Sequence, residues 1–265
     1  MNLQPVKKHE SVTILLVPYD GYSSFPQAVD AIFKHTRAPF ELIVVEADAP
    51  NSIRHELEKR KKRHKNMKII YSDRKLRLAE AFNLGLPHIR THRAFLMHNN
   101  LKVPPHWLDN LLKQAKDKHS VLCPSMSTLR EETFHDPAEL EMHGLLITKE
   151  ILRQLGEFDE KTAPRLLGTD FSQWLKKQGV FIHYDVHSIL EYKPVRTSKS
   201  FDLKFFRHQW DEPFNRKSLV HLREKWGLKL QESKYLEWTA WEETPLRMNF
   251  PKIDLKKFLQ VLTKA

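Results

Sequence analysis

Apolar residues in the first hundred positions come in short runs separated by helical patterns. Residues 12–17 (VTILLV) make a β-rich run that stops at Pro18, and residues 25–35 set Phe25, Ala28, Ala31 and Ile32 at helical spacing. After Pro39, residues 40–45 (FELIVV) predict a second strand. Asn51 and Ser52 open a charged helix through about residue 65, and residues 67–71 (MKIIY) predict a third strand. Residues 78–89 predict an amphipathic helix bent or ended near Pro87, where proline removes a backbone donor. Residues 94–97 (AFLM) predict a fourth strand. This alternation implies βαβ units and a mainly parallel sheet. Such sheets take ligands at the carboxyl ends of their strands. Chemistry is therefore expected at Pro18-Tyr19-Asp20, Glu46-Ala47-Asp48 and His98-Asn99-Asn100.

The second half alternates less regularly. Helices are predicted over 107–115, 149–155 and 169–178, the last ended by Gly179, and strands over 121–124, 144–148 and 180–184. Residues 129–141 are polar and acidic and predict a loop. From Pro194 the chain is basic and aromatic, with Trp210, Trp226, Trp238 and Trp241, which either pack a helical appendage or form an acceptor platform. The expected organisation is an α/β domain over 1–193 and a C-terminal helical extension over 194–265.

Composition narrows the function classes. Of 265 residues 40% are hydrophobic, enough for a substantial core, and seven glycines form neither GxGxxG nor GxxxxGK[ST]. A single cysteine, Cys123, excludes an internal disulfide framework and a thiolate metal cluster. No stretch approaches the roughly 20 apolar residues of a membrane span, and the first ten residues lack a signal-peptide pattern. A cytoplasmic protein, free or peripheral to the inner face of the membrane, is expected. The net charge of +11 favours anionic partners. Its densest cluster, residues 59–65, reads as a solvated helix end or as a contact for an anionic membrane surface or polyanion. Nucleic acid is not the expected partner.

Six segments in order resemble inverting family 2 glycosyltransferases of the GT-A type: VTILLVPYD, PFELIVVEAD, AEAFNLGL, FLMHNNLKVPPHWLDNLL, HGLLITKEILRQLGEFDE and GTDFSQWLKKQG. They run from about Val12 to Tyr192, and residues 215–227 also resemble a tail found in some members. The resemblance implies a Rossmann-like GT-A fold and a hexosyltransferase-like enzyme. Such an enzyme moves a sugar from a nucleoside-diphosphate-sugar donor to an acceptor, saccharide, lipid-linked or protein. A catalytically inactive module that binds nucleotide sugar or glycan is the alternative.

The resemblance also assigns roles. Asp170 stands where the family has its general base, although a carboxylate at a helix start is also a common cap. Pro18, Tyr19, Glu46 and Asp48 fall at the nucleoside, with loop carboxylates pairing to lysines as the other reading of the two acids. The family's aspartate-rich motif, which binds Mg2+ or Mn2+, is His98, Asn99 and Asn100 here. Without a carboxylate the cation should bind weakly, with Asn100 and His98 as the remaining candidate ligands. Lys75, Arg77 or His98 can then supply positive charge to the diphosphate. The family's helix arginine is Phe82, and its histidine near residues 190–193 is missing. His143 and Trp174 are acceptor-side candidates, both also readable as structural, and Asp159 and Glu160 edge the same side.

Overall fold

The computed structural model describes residues 11–115, 117, 119–127, 140, 142–193 and 199–228. Most of the predicted 129–141 loop, and Trp238 and Trp241, lie outside the described residues.

The first half follows its hydrophobic pattern closely: β1 (Val12–Val17), α1 (Phe25–His35), β2 (Phe40–Ala47), α2 (Asn51–Arg63), β3 (Met67–Ser72), α3 (Leu78–Gly85), β4 (Arg93–His98). The predicted 78–89 helix ends near Pro87, as expected. It stops at Gly85 and gives way to a 3-10 turn over Leu86–His88, because Pro87 has no N–H to continue the ladder. Then come β5 (Leu101–Lys102), α4 (Trp107–Gln114), β6 (Ser120–Ser127), β7 (Gly144–Thr148), α5 (Lys149–Leu155), α6 (Leu167–Lys177) and β8 (Phe181–Tyr192). Helix α6 starts two residues earlier than predicted. Strand β8 runs eight residues further, past a register shift opposite Pro124 and Ser125 that the alternation of residues 185–192 conceals. Two helices end the described chain, α7 (Ser200–Gln209) and α8 (Glu212–Trp226).

The eight strands form one mostly parallel sheet in the order β3-β2-β1-β4-β7-β6-β8-β5, with β7 antiparallel to both neighbours and β5 antiparallel to β8. Because strand side chains alternate between faces, Leu15 and Val17 enter one buried layer, with Phe82 of α3 and Phe171 of α6. Ile14 and Leu16 enter the other, with Phe25 of α1 and Trp107 of α4. Both faces of β1 are covered, which is why it reads as an unbroken apolar run.

One feature of the topology builds the site. Only Asn99 and Asn100 separate β4 from β5, yet β5 pairs at the far edge of the sheet, four strand positions from β4. Two linking residues reach roughly 10 Å, whereas four flat strand spacings need about 19 Å. The sheet therefore curls, and the carboxyl end of β8 comes back over the carboxyl ends of β1 and β4. Among the described residues no helix is long and apolar enough to cross a membrane.

Candidate active site

The curl brings together residues from four distant segments around Asp20, at the carboxyl end of β1. Tyr192 at the end of β8 donates its hydroxyl to Asp20 Oδ2 at 2.8 Å, and Asn100 Nδ2 donates to the same oxygen. Trp210, just after α7, donates its indole N–H to Asp20 Oδ1 at 3.2 Å. Asp20 is 2% exposed, and burial raises its pKa from 3.8 to about 6 although Tyr192, Trp210, Arg165 and Asn100 all oppose the rise. Asp20 was legible as the residue after Pro18 and Tyr19 at a strand end. The roles of Tyr192 and Trp210 were not, because the register shift and the curl that deliver them leave no local sequence signal.

The His98–Asn100 segment is bound into this hub. The His98 ring stacks on Tyr19, with centroids 4.3 Å apart, and its Nε2 lies 2.9 Å from His143 Nδ1. Its Nδ1 accepts the backbone N–H of Asn100 at 3.2 Å, so the ring proton sits on Nε2 and is donated to His143. Burial, then the neighbouring His143, lowers the His98 pKa well below its ordinary value and keeps it neutral. Asn99 holds the turn after β1, accepting from Tyr19 N at 3.1 Å and donating to the Gly21 carbonyl at 2.6 Å.

Toward the β2–β3 edge, the Glu46 side chain is 0% exposed, with its oxygens taken by Ala49 N and by Arg54 Nε at 2.8 Å. It pins the entry to α2, and its pKa is raised chiefly by burial. The expected nucleoside contact at Glu46 thus finds a carboxylate already committed to the protein. Asp48 is the open acid here. Its side chain is 46% exposed, its φ of 58° is a left-handed conformation that Asp tolerates, and Lys75 Nζ meets it at 2.7 Å. Arg77 caps α3 through its backbone N–H, which Glu80 accepts at 2.7 Å, while its guanidinium lies 3.8 Å over the Phe214 ring of α8. Pro18 is buried behind Tyr19.

Asp170 occupies the first turn of α6, which has no side-chain cap, so the carboxylate does not act as the expected helix cap. It turns instead to α8, taking Lys225 and the indole of Trp226. Asp159 takes His221 and Lys225 from the same helix. Arg165, in the approach to α6, lies beside the Asp20 hub: its guanidinium is 5.8 Å from the Trp210 ring and its charge helps lower the Asp20 pKa. Trp174 stacks on Phe171 and is half-buried against the core, while His143 faces the Asp20 hub.

The sequence model of glycosyl transferase family 2 matches residues 13–178. The chain belongs to this family. No curated protein is detectably similar in sequence. Among solved structures, the mannosyltransferase PcManGT from Pyrobaculum calidifontis, in complex with GDP-Man and Mn2+, is similar at a TM-score of 0.65 and 14% identity. That match covers 91% of this chain and 72% of the other. GalNAc-T7 with UDP, GalNAc and Mn2+ is similar at a TM-score of 0.60 and 14% identity, over 91% of this chain and 59% of that one. At such identity these likenesses establish the GT-A fold and nothing finer.

Both of those structures hold Mn2+, so the fit of such an ion to this family 2 chain is a question for its donor set. The residues do not fit. His98 has no lone pair to offer, since Nδ1 accepts from Asn100 and Nε2 carries a proton. Asn100 presents a neutral oxygen that Ser24 Oγ approaches at 3.4 Å. Tyr192 stands where the family resemblance calls for a histidine, and its hydroxyl is spent on Asp20. Among the described residues, no three His, Cys, Asp or Glu side chains cluster as metal ligands do. Asn100 instead donates to the Asp20 carboxylate, which Tyr192 and Trp210 also bind.

Proposed function

We propose that this family 2 chain transfers a sugar from a nucleoside-diphosphate-sugar donor to an acceptor hydroxyl with inversion, and that Asp170 is the general base. The observation that carries the reading is the retained Asp170 carboxylate. It is 6% exposed, is fixed by two donors, and stands at the position where the family resemblance puts the general base. In the step, the acceptor hydroxyl proton passes to Asp170, the acceptor oxygen bonds to the anomeric carbon, and the bond from that carbon to the diphosphate oxygen breaks. Tyr19 and Asp48 border the nucleoside. Lys75, freed by exchange from Asp48, meets the leaving diphosphate with fixed positive charge in place of a cation.

A second reading, a nucleotide-sugar-binding module without turnover, draws on the donor-capped Asp20 hub and its poor fit to metal. Release of nucleoside diphosphate from UDP-, GDP- and dTDP-sugars, with Mn2+ and with chelator, separates the two. The enzyme reading expects release that persists in chelator and falls on the order of 10²–10⁴-fold in Asp170→Asn. Donor binding without release, unaltered by Asp170→Asn, refutes the enzyme and supports the module.

The opposite end of the sheet supports a contact with an anionic surface. The connections into β2, β3 and β4, residues 34–39, 61–66 and 88–92, contain no Asp or Glu. They expose Lys34, Arg37, Lys62, Arg63, Lys65 and Arg90. Each cation near an anionic lipid surface contributes about 1 kcal/mol, and docking by this end leaves the site pointing away from the surface.

A further inference from the structure

Helix α8 lies beyond the residues that the family model matches, yet it reaches the candidate base. Leu219 and Leu222 pack on Ala163 and Leu166 in the approach to α6, and Ser218 Oγ accepts from Ala163 N. Gly227, with φ 63°, ends the helix in a left-handed cap just after Trp226 and leaves Lys225 and Trp226 in its last turn. From there Lys225 Nζ stands 2.7 Å from Asp170 Oδ1 and 3.0 Å from Oδ2. Trp226 Nε1 donates to Oδ1 at 2.7 Å.

We propose that Lys225 and Trp226 are positioning residues for Asp170, fixing its carboxylate so that Oδ2 receives the acceptor proton. This rests on the reading of Asp170 as the base. Each carboxylate oxygen offers two lone pairs. Those of Oδ1 are filled by the ammonium and the indole, while among the described residues Oδ2 has only the longer contact to Lys225, which leaves its second lone pair for a proton. Donors from adjacent residues of one helical turn also fix the plane of the carboxylate, which a single contact would leave free to rotate.

Asp159 completes the arrangement. Its Oδ2 takes Lys225 at 2.9 Å and His221 at 2.7 Å. Burial alone would raise its pKa, but the bonds from His221 and Lys225 hold it down at about 2, so Asp159 stays ionised. Once Asp170 has accepted a proton and lost its charge, Lys225 still has a carboxylate beside it and need not move. The last turn of α8 is thus part of the acceptor side of the site, although it lies beyond the residues that the family model matches.

The test uses the full chain and two kinds of measurement. The first is the indole 1H–15N signal of Trp226, assigned by its loss in Trp226→Phe. It should shift in Asp170→Asn, and an unmoved signal overturns the contact and the proposal. The second is turnover of whichever donor is active. Lys225→Met should lower kcat on the order of 10²-fold with donor KM held within about twofold, the pattern of an interaction made in the transition state. Lys225→Arg should recover much of the loss. Leu219→Ala loosens the packing of α8 on Ala163 and Leu166 without touching Asp170, and should leave kcat near that of the parent. A Lys225→Met loss no larger than that of Leu219→Ala means that the helix merely docks, and overturns positioning alone. A shifted indole signal with no donor turned over means that the enzyme reading itself has failed, and takes the proposal with it.

Discussion

Replacing Asp20 by Asn tests the hub through its pH dependence. The carboxyl has a pKa of about 6 when folded against 3.8 ordinarily, and at 2% exposure solvent screening does little to reduce the difference. At about 1.4 kcal/mol per pH unit, this amounts to about 3 kcal/mol. The folded chain holds this proton more tightly than the unfolded chain. The associated stability is therefore fully present below pH 3.8 and lost as pH rises through 6. Asparagine has no such titration. Its NH2 faces donors at Asn100, Tyr192 and Trp210, which costs stability, but that cost does not vary with pH. Urea unfolding of both proteins from pH 4 to pH 7.5 isolates the effect, since the other titrating groups largely cancel in the difference. The stability of Asp20→Asn relative to the parent should rise by about 2.4 kcal/mol between pH 4 and pH 7, the rest of the effect lying below pH 4. Tyr192→Phe should steepen the parent's own decline, because the tyrosine hydroxyl is the strongest of the contacts lowering this pKa. A difference flat to within roughly 0.5 kcal/mol across that range would show that Asp20 is not an internal buried carboxylate, and the hub would have to be redrawn.

Two further outcomes follow from packing and charge. In Gly85→Ala the new Cβ would lie 2.4 Å from Leu15 Cδ1. Leu15 is fully buried, so overpacking should cost about 1–3 kcal/mol, read as a melting point several degrees lower by calorimetry; an unchanged melting point would contradict the packing of α3 on β1. The triple variant Lys62→Glu, Arg63→Glu, Lys65→Glu should abolish co-sedimentation with vesicles containing anionic lipid and leave nucleotide binding intact; parent protein that ignores such vesicles at low salt would remove the surface-docking idea.

The sequence revealed the framework better than the site, for a physical reason. Strands buried on both faces need unbroken apolar runs, and their covering helices need periodic ones, so β1 to β4 and α1 to α3 are written locally. The carboxyl ends of β1 and β4 were likewise legible as places for chemistry, and Tyr19, His98 and Asn100 do meet there. What local pattern could not carry is which distant residue closes on them. Tyr192 arrives by a β-bulge and a curl of the sheet, and Trp210, Lys225 and Trp226 arrive on helices whose apolar faces reveal only that they pack somewhere. The surroundings of Glu46 were hidden in a related way. An acid at a strand's carboxyl end looks available in sequence, but Arg54, in the first turn of α2, takes it.

The charges of the site form a single exchange rather than a set of separate losses. A metal-holding site pairs a dication with carboxylates, so their removal at positions 98 and 100 would by itself leave neutral groups and no cation. Asp20 restores one negative charge at the same rim, but that charge is consumed internally by Asn100, Tyr192 and Trp210, at a cost in stability set by its own burial. Such a cost serves geometry: the carboxylate ties the ends of β1, β4 and β8 to the segment after α7. In the proposed transfer, compensation of the departing diphosphate falls to cations outside this internally neutralised rim. Lys75 is suited to that role because its present partner, Asp48, is half-exposed and exchangeable in water. A diphosphate oxygen can replace the Asp48 oxygen without stranding a buried charge, an exchange that the donors around Asp20 cannot make.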